Sequence, residues 1–213
     1  MNFGYGIDLA QSLNYCGIVV TSIEEQIRLV TIKKIKNSTY PELSNLLIDD
    51  LFKRFPPSYV CVDYTNEKSF SETLEAHLNN GFLDQSSSSY KKWQCVEPVV
   101  FTQASKLQLK QNARELFEKK YFVWPKKEQS HPAIWPLVEE LREQMMREAG
   151  TAGPDGQLRF PKPAGYDNDL IIALELNLYG GKKSLPDFTD EWFYISGYQT
   201  SHQGCFLCRP LQV

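Results

Sequence analysis

The feature that constrains this chain most is one aspartate inside its first apolar strand. Residues 3–10 read Phe-Gly-Tyr-Gly-Ile-Asp-Leu-Ala, and residues 15–20 read Tyr-Cys-Gly-Ile-Val-Val after a short polar turn that includes Gln11, Ser12 and Asn14. Two β-rich runs joined this closely pair as antiparallel strands. Asp8 then sits where a carboxylate is costly to bury unless something binds it. An ordinary ion pair or turn cap satisfies that demand, and so does a metal ion. Two further carboxylates in similar settings favour the metal. Asp63 ends the apolar run from Tyr59, and Asp169 opens a long apolar helix. Gly4 and Gly6 leave room for neighbouring backbone to come close to the first strand.

The remaining pattern gives a fold class. A third strand at 26–35 is rich in β-branched residues. Thr39, Pro41 and Glu42 then form a helix start of the capping-box kind, and Pro56-Pro57 stops that helix near Phe55. The run Tyr59-Val-Cys-Val-Asp63 reads as a strand covered on both faces. A helix carrying Phe70, Leu74 and Leu78 follows, then a serine-rich loop over 84–90, a strand at 94–101 and an amphipathic helix at 105–121. Residues 122–125 read as a short edge strand stopped by Pro125, and a helix at 134–149 precedes a small hairpin within 150–160. The last helix begins at Asp169, is apolar nearly all round and therefore buried, with Gly180-Gly181 expected as its C-cap. The expected architecture is α/β: a mixed five-stranded sheet, three antiparallel strands followed by parallel ones, flanked by helices. It occupies residues 1–183, and 184–213 form a tail packing back on it.

Composition narrows the setting. With 213 residues, 42% of them hydrophobic and 13% aromatic, the chain buries a sizeable core. No apolar run reaches the roughly 20 residues a bilayer span needs. The first residues also lack the basic-then-apolar order of a signal peptide, so a cytoplasmic setting is expected. Five cysteines are an odd number, and Cys16, Cys61 and Cys95 lie in apolar runs as reduced core residues. His202, Cys205 and Cys208 have zinc-compatible spacing but no second ligand pair nearby. The formal net charge of −3 argues against strong independent nucleic-acid binding. It does not exclude a nuclease, because metal-binding carboxylates themselves add negative charge. The pairs Lys33-Lys34, Lys91-Lys92, Lys126-Lys127 and Lys182-Lys183 are local phosphate contacts or solvated surface.

The predicted order puts Asp8 on a central strand, Asp63 at the end of its neighbour, and Asp169, with Asp167 beside it, at the start of a helix packing on the sheet. Converging carboxylates repel one another unless a divalent cation neutralises them. Two magnesium or manganese ions about 4 Å apart would activate a water and stabilise the leaving oxygen in phosphodiester hydrolysis.

These stretches resemble a known family. Gly6-Ile-Asp8-Leu-Ala10 with the run 15–20 is similar to the opening of the nuclease domain of phage terminase large subunits, in the RNase H-like (RuvC-like) superfamily. Cys61-Val-Asp63-Tyr-Thr65 resembles its second motif. Residues 99–125 resemble its intervening strand, helix and short strand, and the hairpin at 156–160 followed by Tyr166-Asp-Asn-Asp169-Leu170 resembles its last motif. The resemblance covers residues 3 to about 180. It implies a metal-dependent DNA endonuclease of genome packaging. Asp8, Asp63 and Asp169 match its metal-binding acids, two Mg²⁺ or Mn²⁺ ions its cofactors, and double-stranded DNA its substrate in the cytoplasm of an infected host. Asp167 stands where the family often has histidine, and Asn168 where it often has aspartate. Asp167 is thus a candidate substitute ligand.

Full-length members carry an ATPase motor ahead of the nuclease, and the sequence here contains none. Gly181-Lys-Lys-Ser184 ends like a phosphate loop, but Leu176 stands where its first glycine is required. Either the nuclease is excised from a longer protein or a motor and portal act in trans. Lys106 and the Thr65 hydroxyl are candidate phosphate contacts. The alternatives are a branched-DNA resolvase or ribonuclease H-type enzyme of the same fold, or a non-catalytic adaptor. An actin-like ATP-binding fold would need a glycine-threonine loop after Asp8, where the chain has Leu9-Ala10-Gln11-Ser12.

Overall fold

The structure is a computed structural model that describes residues 2–9, 15–36, 38–65, 68–81, 96–147, 151–152, 158–159 and 167–185. The expected tail from 186 onward, the serine-rich loop and the His202, Cys205 and Cys208 group lie outside these residues. β1 (Asn2–Asp8), β2 (Tyr15–Ile23) and β3 (Ile27–Lys36) form the antiparallel meander. α1 (Tyr40–Leu46) opens with the expected capping box between Thr39 and Glu42. It continues through a π-helical turn, Leu47–Leu51, into the short α2 (Phe52–Arg54). β4 (Pro57–Asp63), α3 (Lys68–Gly81), β5 (Val96–Val99) and α4 (Gln103–Glu118) follow. Next come β6 (Phe122–Val123), α5 (Trp135–Arg147), the hairpin β7 (Thr151–Ala152) with β8 (Leu158–Arg159), and α6 (Asp169–Ser184).

The main sheet has the order β5-β4-β1-β2-β3-β6, so β1 is interior, parallel to β4 and antiparallel to β2. It has six strands, not five. The addition is the short proline-terminated strand: α4 carries the chain across the sheet and β6 pairs in parallel with β3 at Ile27↔Phe122 and Arg28↔Val123. Buried Phe122 packs edge-on against both Phe117 and Trp124, which anchors so short a strand.

Alternation along the strands builds two cores. Tyr5, Ile7, Ile18, Val20, Val60 and Val62 face Leu43, Leu47, Leu51, Phe70 and Leu74. On the other face, Val19, Ile27, Ile32, Tyr59 and Cys61 meet α4, α5 and α6. Among the described residues, no helix is long and apolar enough to cross a membrane.

α6 departs from expectation at its end. Gly180-Gly181 does not cap the helix, which runs on to Ser184. Both glycines are buried. A Cβ at Gly180 would stand 2.5 Å from the Tyr59 ring and 2.9 Å from the Cys61 sulfur, and one at Gly181 2.8 Å from Ile27. They are contact glycines that let the helix lie close on β4 and β3. In an exposed helix, glycine to alanine stabilises by about 1 kcal/mol. Here Gly180→Ala is expected to cost about 2 kcal/mol instead. The sign of the shift in thermal midpoint, read by circular dichroism, separates the two cases.

Candidate metal centre

Asp8 is the last residue of β1 and pairs with Gly17 on β2. On its other side Ile7 pairs with Val62, so Asp8 and Asp63 are the next residues of two adjacent parallel strands. Both continue the side-chain alternation of Gly6 and Cys61, which is the α6 face. Gly17 supplies the third direction. A Cβ there would lie 2.3 Å from the Asp169 carbonyl oxygen. The first turn of α6 therefore rests on β2 directly beside Asp8. The three acids share one end of the sheet, and their exposures are only 7%, 6% and 5% for Asp8, Asp63 and Asp169.

The rest of the α6 stripe holds it there. A Cβ at Gly6 would meet the Ala173 carbonyl oxygen at 1.9 Å and the Asn177 nitrogen at 2.4 Å. The fully buried Asn177 donates to the carbonyls of Gly4 (2.8 Å) and Val19 (3.1 Å) and accepts from the Thr21 hydroxyl at 2.8 Å. Residues 169, 173 and 177 recur at the four-residue spacing of one helix face, and the small or polar residue at each suits backbone-close packing.

Several groups surround the acids. The Asp63 Oδ1 atom accepts the Thr65 N–H at 2.9 Å, and the Thr65 hydroxyl accepts the Phe101 N–H at 3.0 Å, so Thr65 ties β4 to the segment before α4. Lys106 is exposed, its ammonium 5.5 Å from the Phe101 ring centre. Asp167 is turned toward β3, where Lys34 bridges it at 2.5 Å and also bonds Glu140. Burial pushes the Asp167 carboxyl up, but hydrogen bonding with Asp169 and with the Lys34 ammonium outweighs it and holds it below the ordinary range. Lys34 is raised: burial lowers it, and its bonds to Asp167 and Glu140 more than compensate. Burial first, then the charges of Asp8 and Asp169, push the Cys16 thiol far up, so Cys16 stays protonated beside them.

Sequence reasoning named Lys34 only as half of a lysine pair and did not single out Glu140 or Gln144. The α6 cap residue Asn168 makes no side-chain cap bond. In its place buried Gln144 of α5 accepts the Ile171 N–H at 3.0 Å and donates to Glu140 at 3.3 Å. Only strand alternation carried a signal: Lys34 lies two residues past inward-facing Ile32 and pairs with Gly17.

Carboxylate oxygens are the donors that hard divalent cations such as Mg²⁺ and Mn²⁺ select. Three buried acids at one end of a sheet are costly without a nearby cation. Donor type and burial fit such an ion. As the side chains stand, no group of three or more His, Cys, Asp or Glu among the described residues is arranged to hold a metal. Thr65 engages Asp63, and Lys34 engages Asp167.

No protein-family model matches the sequence. No curated protein matches it either. Solved structures do. The large terminase nuclease from thermophilic phage G20c superposes with a TM-score of 0.59 at 15% identity, covering 84% of this chain and 81% of that one. The same nuclease with bound magnesium gives 0.63 at 15% identity, with coverages of 84% and 80%. The g2p large-terminase nuclease domain of bacteriophage SPP1 with bound Mn gives 0.50 at 12% identity, with coverages of 84% and 86%. At such identities the likeness is one of fold: this chain has the RNase H-like fold of phage large-terminase nuclease domains.

Proposed function

We propose that the chain is a metal-dependent endonuclease that hydrolyses phosphodiester bonds of double-stranded DNA, and that it serves viral genome packaging in the host cytoplasm. One observation carries this reading: Asp8, Asp63 and Asp169, all buried, lie at the same end of the sheet in a fold shared with terminase nucleases crystallised with magnesium or manganese. In this reading the three carboxylates hold one or two such ions. When bound, the metal neutralises charge developing on the phosphate and lowers the cost of deprotonating the attacking water.

The chain's own residues bind and orient. Asp8 and Asp63 are fixed by paired strands, and Asp169 by the helix seat on Gly17, so little reorganisation is needed as substrate arrives. Lys106 and the Thr65 hydroxyl border the Asp63 side of the site and would contact the phosphate backbone. With a net charge of −3, isolated binding is weak and falls steeply with salt. A packaging ATPase motor and portal would supply the missing local DNA concentration.

The test is conversion of supercoiled plasmid to nicked and linear forms with manganese, with and without chelator. Asp8→Asn and Asp63→Asn are each expected to lower the rate by about a hundredfold or more, as loss of a charge-stabilising group does. Undiminished cutting by both variants rejects the assignment. Preferential cutting of a four-way junction or an RNA–DNA hybrid would move the substrate to those classes.

A further inference from the structure

Lys34 is not an ordinary surface lysine. Its side chain is only 12% exposed. It bonds Asp167 and Glu140, and the Tyr15 ring closes over its ammonium at 4.2 Å. Glu140 is steadied in turn by Gln144, which also grips the first turn of α6 at Ile171. Enclosure on this scale orders a flexible four-carbon stem, which a solvated lysine does not accept for a weak surface pair. The position matters equally. Lys34 pairs with Gly17, Gly17 pairs with Asp8, and the Asp169 turn rests on Gly17 between them. The Asp169 N–H reaches Asp167 Oδ1 at 3.5 Å, so the carboxylate that Lys34 holds adjoins a candidate ligand.

Resting on the metal-centre reading, we propose that Lys34 is the resident counter-cation of the acidic site, holding Asp167 out of the ligand set and limiting how tightly a divalent ion binds. The effect has two parts. A fixed positive charge within a few strand spacings repels an incoming divalent ion. It also occupies a neighbouring carboxylate able to add a further oxygen donor. Asp167 is therefore a ligand in waiting, released only when Lys34 is neutralised or drawn elsewhere. A phosphate of bound substrate is the group with the charge to draw it.

The experiment is calorimetric Mn²⁺ binding to the full chain, which needs no turnover. Lys34→Met is expected to bind Mn²⁺ on the order of tenfold more tightly than wild type. Lys34→Met combined with Asp167→Asn is expected to lose most of that gain. In the wild-type background, Asp167→Asn is expected to weaken binding far less than Asp169→Asn does. That comparison also keeps the proposal testable if Lys34→Met folds poorly, and Lys34→Arg, which keeps charge and partners, should bind as wild type does. Wild-type binding with equal or weaker affinity in Lys34→Met overturns the role of Lys34 alone. A loss in Asp167→Asn as large as in Asp169→Asn overturns it too, since Asp167 would already be a ligand. Absence of Mn²⁺ uptake in every variant, wild type included, overturns the metal centre itself and this role with it.

Discussion

Gly6→Ala is expected to destabilise the protein by about 4 kcal/mol and to displace the helix that carries Asp169. The added Cβ would lie 1.9 Å from the Ala173 carbonyl oxygen and 2.4 Å from the Asn177 nitrogen. Both are main-chain atoms in the middle of α6, so no rotamer change relieves the clash and the helix as a whole must retreat. Retreat breaks the Asn177 bonds to β1 and β2 and opens the core between sheet and helix. Gly4 is the control. A Cβ there would first meet the Tyr59 side chain, at 2.0 Å, and a side chain, even one bonded to Asn177, shifts more readily than a helix backbone. Gly4→Ala should therefore cost clearly less. Urea unfolding of both variants measures the difference, and a loss below about 1 kcal/mol for Gly6→Ala would show that α6 is not seated on β1 in this way.

The second large effect is expected at Asn177. Asn177→Leu keeps the number and branching of side-chain heavy atoms but removes two donated hydrogen bonds, to Gly4 and Val19, and the acceptor of the Thr21 hydroxyl. These groups lie in a fully buried seam where water does not replace the lost partner. At about 1–3 kcal/mol for each buried group left without its partner, a loss of roughly 3 kcal/mol is expected. Thr21→Val removes one bond of the same network and should cost less. A double-mutant cycle on the two positions should give a coupling of about 1 kcal/mol, since they share that bond. Additive losses would mean the seam is not one network.

Much of this was legible beforehand because it is local. Period-two and helical spacing located the strands and helices, and Thr39 with Glu42 announced the first helix start that the hydrogen bonds display. The three acids were visible because each is a charged residue at the edge of an apolar run, an arrangement that needs a physical reason. Gly6 also signalled a close backbone approach, although not which backbone, whereas Gly4 makes room for the Tyr59 side chain instead.

The misreading at Gly180-Gly181 has the opposite origin. Glycine after an apolar helical run serves equally as a C-cap or as a contact glycine, and only the presence of Tyr59, Cys61 and Ile27 across the interface distinguishes them. The sixth strand is a similar case. The sequence marked residues 122–125 as a short edge strand, but its place in the main sheet beside β3 follows from Phe122 docking on Phe117 and Trp124. Lys34 looked like half of a solvated lysine pair, since its partners Asp167 and Glu140 lie more than 100 residues away.

By itself the sequence determined the element order and the class of sheet and pointed to the candidate acids, because these follow from composition and spacing within a few residues. The tertiary structure alone decided which backbone fills the glycine groove, that Asp167 faces a lysine, and that α5 caps α6. Those outcomes depend on which surfaces meet across the sheet, and no short-range pattern encodes that meeting.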